Sequence, residues 1–191
     1  AASCTSGSDG GASDWRNWVL FTSDDMSGDT YESTIHMNNS NVLANEVEQR
    51  EPCLNIAKIY LDAYVQQSTP GGQRYPDAER ALRDRVQKGC LLVNYVGHGG
   101  EVGWAHERLL DVQTILNWSN LERLPLFVTA TCEFTRWDDP ARTSAGELVF
   151  LNPNGGGIGL MTTTRIAYSG ANQILLNKFY DYAFLPSDEL G

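Results

Sequence analysis

Short apolar runs separated by polar and glycine-rich stretches recur along the chain, and their spacing predicts alternating strands and helices. Runs at 18–22, 56–61, 91–96, 126–130 and 158–162 have the length and β-branched content of strands buried on both faces. Between them the apolar spacing turns helical. Val42, Leu43 and Val47 predict a helix over 38–50, with Asn39 and Asn41 as candidate caps. Pro76 opens a second helix whose Ala81, Leu82 and Val86 share one face and which Gly89 ends in a C-cap position. Leu110, Ile115 and Leu116 predict a helix over 109–118, with Asp111 near its start. Ser144 and Glu147 have capping-box spacing, and 174–184 is the last amphipathic stretch. Residues 62–75, with Thr69, Pro70, Gly71 and Gly72, form a loop. Five strands alternating with helices give a doubly wound α/β layer around a mainly parallel sheet.

Two of these runs end on a reactive side chain. The 91–96 run leads into Gly97, His98, Gly99 and Gly100, and the 126–130 run into Thr131, Cys132 and Glu133. Ligands of open α/β sheets bind beyond the carboxyl ends of the strands, so His98 and Cys132 are expected to face one crevice. A thiol, whose ordinary pKa lies near 8.5, becomes a nucleophile when an imidazole takes its proton and later protonates the leaving amine. The backbone N–H groups of Gly99 and Cys132 are the natural donors for the oxyanion of such a reaction. Taken singly, Cys132 reads equally well as a buried structural thiol and His98 as a loop histidine. Their placement at two strand ends favours the catalytic pair.

Composition removes several other classes. A net charge of -10 argues against nucleic acid and against an anionic membrane surface, both of which need clustered Lys and Arg. No apolar run approaches the roughly 20 residues of a membrane span. The four cysteines include no CxxC pair, the three histidines give no zinc spacing, and no disulfide framework is implied.

The stretch Asn94, Tyr95, Val96, Gly97, His98 and Gly99, together with Trp104 and the 124–132 run ending in Cys132, resembles the gingipain-type cysteine peptidases. The 129–134 stretch, Asp138-Asp139-Pro140, the 144–147 stretch and the 162–165 stretch resemble more closely the branch that serves as sortase of the type IX secretion system. The resemblance spans roughly 15–184, with 1–14 and 185–191 as tails of a chain that reads as a fragment of a longer protein. It implies a caspase/gingipain-like three-layer sandwich. It also implies removal of C-terminal sorting signals from secreted cargo at the bacterial surface, in association with the outer membrane and other secretion components. The cargo would pass through an acyl-enzyme onto anionic lipopolysaccharide.

Carried onto this sequence, the resemblance makes Cys132 the nucleophile and His98 the general acid/base. Glu133 and Glu101 could orient the imidazole or be solvated rim carboxylates. Trp104 either walls the pocket for the residue before the scissile bond or packs in the core. Residues 162–165 are expected to line the cleft, with Arg165 holding a substrate carboxylate or pairing with an internal acid. Asp24 and Asp25 end the first strand, where gingipains carry acids near the active site. No cofactor is required, and the acidic turn at 23–29 offers oxygen ligands for a structural Ca2+, which gingipains bind. His36 and His106 read as structural or surface residues. The arginine or lysine specificity of gingipains is not carried over. Other readings are a gingipain-like secreted endopeptidase, a caspase-like regulatory protease and a non-catalytic module that binds sorting signals.

Overall fold

Side chains alternate along each central strand, and because both faces are buried the sheet carries a helical layer on either side. The computed structural model describes residues 14–25 and 34–184. In chain order its elements are β1 (Trp18–Ser23), α1 (Ile35–Arg50), β2 (Asn55–Tyr60), β3 (Gln67–Thr69), β4 (Gly72–Arg74), α2 (Pro76–Lys88), β5 (Leu92–Val96), β6 (Gly99–Gly100), β7 (Gly103–Trp104), β8 (Leu110–Asp111), α3 (Val112–Leu116), β9 (Leu126–Ala130), α4 (Ala145–Leu151), β10 (Gly159–Met161) and α5 (Ser169–Ala183).

One parallel sheet runs β10-β9-β5-β1-β2. Val19, Phe21 and Val128 pack with Leu43 and Val47 of α1 and Leu176 and Tyr180 of α5. Leu20, Val93, Tyr95 and Phe127 face the other way, onto Leu82 and Val86 of α2, Ile115 of α3 and Val149 of α4. The result is the doubly wound α/β layer expected from the strand pattern, in the three-layer form that the family resemblance implied. Each fully buried Leu, Val or Phe contributes roughly 1.5–3 kcal/mol to it.

Local signals explain most boundaries. Gly89 caps α2 at φ 90°, a left-handed conformation that favours glycine. Glu147 accepts the Ser144 backbone N–H at 2.8 Å, completing the capping box of α4. Five expectations need correction. Helix α1 begins at Ile35, so Asn39 and Asn41 lie inside it and cap nothing, Asn41 instead accepting from Lys58 at 2.8 Å. The 109–118 stretch holds only one helical turn and a half, because Leu110 and Asp111 pair with β7 before Asp111 caps α3 through Thr114. The 62–75 loop contains the β3–β4 hairpin, and α5 starts five residues before 174. Cys53 is disulfide-bonded, a pairing the cysteine spacing did not suggest. The tails at 1–13 and 185–191 lie outside the described residues.

This topology fixes where chemistry can occur. The chain leaves β1 for β2 on one side and reaches β5 on the other, so the β1/β5 boundary is a topological switch point. Ser23 pairs with Val96, and Val96 with Ala130, so three strands end in one row. Asp24, His98 and Cys132 all follow that row. Among the described residues, no helix is long and apolar enough to cross a membrane.

Candidate active site

Beyond β5 the backbone of His98 is held from three directions. Its N–H donates to Asp24 Oδ2 at 2.9 Å, and its carbonyl accepts from the Tyr95 hydroxyl at 2.6 Å and the Ala105 N–H at 2.9 Å. Gly97 allows this approach, since a Cβ there would stand 2.4 Å from Asp24 Cβ and 2.6 Å from the Tyr95 hydroxyl. Tyr95 is itself buried and stacked on Trp104, ring centroids 4.4 Å apart and planes nearly parallel. Two further imidazoles flank that of His98: His36 of α1 edge-on at 5.2 Å and His106 at 5.4 Å between centroids. No spacing in the sequence signalled this row of three rings, because its members come from a helix, a strand end and a hairpin loop.

Cys132 stands half-buried past β9 on a segment braced from below. The Thr131 carbonyl accepts from Thr163 at 2.5 Å and Asn172 at 3.3 Å, and Thr129 bonds the Thr162 hydroxyl at 2.6 Å. Glu133 then takes φ 48°, a left-handed turn that costs on the order of 1 kcal/mol or more and leads the chain away from the cleft. The Cys132 sulfur lies 3.5 Å from the Ala167 carbonyl oxygen, and Cys132 and His98 line the same cleft of about 190 Å3.

The expected oxyanion donors are free to serve. The Ala105 N–H bonds the His98 carbonyl, so Gly99 opposite Trp104 is a pair without ladder bonds and its N–H points away from β7. Gly99 also packs tightly on the Cys132 segment, where a Cβ would come 2.3 Å from Thr131 Oγ1. Among the described residues the Cys132 N–H has no hydrogen-bond partner.

Other sequence-predicted contacts fall elsewhere. Trp104 is fully buried and walls no open pocket; it lies beneath Tyr95, against Phe127 and Phe134. Trp104→Phe is therefore expected to cost about 1–3 kcal/mol in denaturant unfolding while leaving peptide selectivity unchanged. A change in selectivity at full stability would restore the pocket-wall role. Glu101 pairs with Arg136 and with Arg142 at 3.3 Å, and Glu133 lies 3.8 Å from Arg136, so neither orients the imidazole. Arg165 is held by Asp138 through both guanidinium nitrogens, on the exposed rim. The threonines at 162 and 163 brace Cys132 from behind and do not line its cleft.

Asp24 and Asp25 are buried and, with half-buried Glu107, bring one carboxylate oxygen each within 4.8 Å of one another. Burial pushes the Asp24 carboxyl up to about 7 against the opposing His98 N–H, and Asp25 and Glu107 add to the rise. Asp25 also accepts from the Tyr75 hydroxyl at 2.7 Å. Three oxygens are part of the six to eight that Ca2+ takes, and the cation would relieve their repulsion. The remainder of the 23–29 turn lies outside the described residues.

Comparison with known proteins bears on the family and the fold. The model of peptidase family C25 matches residues 5–191. The structure of the Arg-specific cysteine proteinase gingipain R (RgpB) superposes with a TM-score of 0.68 at 20% identity, covering 89% of this chain and 37% of that one. The complex of the pro- and mature domains of Porphyromonas gingivalis RgpB gives 0.70 at 17% identity, covering 90% and 38%. At such identity the likeness is one of fold. No curated protein sequence matches the chain. The chain thus spans less than two fifths of the length of the structures it resembles.

Proposed function

The chain belongs to peptidase family C25, and from that membership we propose that it is a cysteine peptidase working through a thioester on Cys132, with transfer to an amine rather than hydrolysis as its outcome. The observation that carries the reading is that Cys132 and His98 share one cleft at the ends of adjacent strands, beside two N–H donors unused among the described residues. In the first step His98 takes the thiol proton and Cys132 Sγ bonds the scissile carbonyl carbon. The oxyanion lies between the Gly99 and Cys132 N–H groups, each such donor typically being worth about 3 kcal/mol. The C–N bond breaks and His98 returns the proton to the leaving amine, leaving the acyl group on sulfur.

The sequence motifs beyond the pair resemble those of PorU, the type IX sortase, and support that branch. On this reading the acyl donor is secreted cargo, the leaving segment its C-terminal sorting signal, and the acceptor anionic lipopolysaccharide at the outer membrane. Other secretion components would present the cargo. Cleft chemistry supports a different selectivity from the Arg-specific relative. Among the described residues its lining beside the catalytic pair is His36, Asn39, Tyr168, Ser169, Asn172 and glycine, apolar or threonine neighbours, with no carboxylate to pair an arginine. A neutral side chain before the scissile bond fits it.

Intact-mass measurement with peptide-based acylating probes tests the proposal. A neutral-residue probe is expected to add one acyl group at Cys132, at least tenfold faster than an arginine probe, and to be released as an amide when an amine is supplied. Release to water alone would identify an endopeptidase. No adduct at Cys132 would leave a module that binds sorting signals without cleaving them.

A further inference from the structure

Among the described residues, His98 lines a second cleft besides the one it shares with Cys132. The second, about 320 Å3, is lined by His98 with Gly99, Gly100, Val102, His106 and Arg108 among its walls. We propose that this second cleft receives the acyl acceptor, and that Arg108 selects an amine carrying an anionic group, phosphate or carboxylate. The inference rests on the acyl-transfer reading above. It follows from the economy of one imidazole: the group that protonates the leaving amine deprotonates the incoming one, so both occupy the same side of His98. With the acyl part in the Cys132 cleft, the second cleft that His98 lines is the adjoining space for them.

The lining has the matching chemistry. Arg108 is exposed and, among the described residues, makes no ion pair. The neighbouring carboxylate of Glu107 is turned into the cluster with Asp24 and Asp25 and does not neutralise it. Arg108 and Ala105 both hold left-handed backbone, φ 56° and 61°, closed by the Arg108 N–H on the Ala105 carbonyl at 3.2 Å. Strain of this kind, roughly 1–3 kcal/mol per residue, persists where the surrounding structure fixes it, and here it sets the base of the Arg108 side chain beside the cleft. In a chain of net charge -10, a guanidinium with no ion-pair partner among the described residues, beside the imidazole, attracts an anion. The step balances: the amine nitrogen bonds the thioester carbonyl, its proton goes to His98, the C–S bond breaks, and the proton passes to Cys132 Sγ.

The test loads the full chain at Cys132 with an acyl thioester of small leaving group, then offers phosphoethanolamine, β-alanine or ethanolamine at equal concentration. Mass spectrometry reads the ratio of amide to acid product, which does not depend on how fast the acyl-enzyme formed. Wild type is expected to favour the anionic amines about tenfold over ethanolamine, the worth of one hydrogen bond between charged groups. The two anionic arms separate phosphate from carboxylate preference. Arg108→Asn, whose side chain tolerates left-handed backbone, is expected to erase the preference, and Arg108→Lys to keep part of it. Gly100→Val fills space in which an added Cβ meets nothing within 4 Å, and is expected to lower the amide ratio for all three amines without loss of fold. A preference that is missing in wild type, or that survives Arg108→Asn, overturns the acceptor site. An acyl-enzyme that never forms overturns the peptidase reading on which it rests.

Discussion

His98→Ala lowers turnover of a cleavable peptide on the order of a thousandfold, within the range that positioned acid–base groups supply, and Cys132→Ala abolishes it. The thiol inventory makes this measurable on the protein itself. Cys90 is fully buried and its thiol pushed up to about 12 by desolvation, and Cys53 is disulfide-bonded. Among the described residues Cys132 is therefore the free thiol that a reagent reaches. Iodoacetamide is expected to add one group to wild type at neutral pH, more slowly to His98→Ala, and none at this position in Cys132→Ala. Raising the pH separates the two jobs of the imidazole. An alkaline medium restores alkylation of His98→Ala, because thiolate then forms unaided. Turnover stays low, because the leaving amine still lacks its proton donor. Alkylation indifferent to His98 at every pH would remove the imidazole from the chemistry and leave a binding fold.

What could be read from the sequence follows a physical line. Strands buried on both faces appear as continuous apolar runs, so β1, β5 and β9 were legible, as were the reactive residues that follow β5 and β9. The α2 cap at Gly89 and the capping box of α4 were legible because they are local. The two-residue strands β6, β7 and β8 carry no period and left no trace. Glu133 and Trp104 were misplaced because closeness in sequence to a reactive residue is not closeness in space. Glu133 adjoins Cys132, yet the left-handed turn sends its side chain toward Arg136. Trp104 follows the His98 loop, yet its ring goes under Tyr95 because the hairpin folds back over the sheet. His36 and His106, which the sequence left unassigned, meet the ring of His98 only through tertiary packing.

Asp24→Asn is expected to change sign in its effect on stability as pH rises. The carboxyl is buried, and desolvation raises it from an ordinary 3.8 to about 7, with Asp25 and Glu107 adding repulsion. The fold therefore prefers the protonated form. Its contribution is fully present below the unfolded value near 4 and is lost as pH climbs through about 7. At about 1.4 kcal/mol per pH unit, wild type forfeits about 4 kcal/mol across that window relative to a residue that does not titrate. Asparagine keeps one acceptor for the His98 N–H but cannot also accept from the Asp25 N–H, which bonds the second oxygen at 3.1 Å, so at pH 4 it costs about 1–2 kcal/mol. Above pH 7 the balance reverses and the variant is the more stable, by about 2 kcal/mol. Denaturant unfolding of both proteins at pH 4.5, 6 and 8 in EGTA reads the difference; parallel stabilities would show that Asp24 is not held protonated by burial. Excess Ca2+ at pH 8 should close the gap by stabilising wild type alone. The carboxylates of Asp24, Asp25 and Glu107 would then be the ligands, and the amide of the variant supplies no charge to replace the one removed. The same carboxyl holds the backbone of His98, so the cost of ionising it is borne at a contact to a residue that lines the cleft.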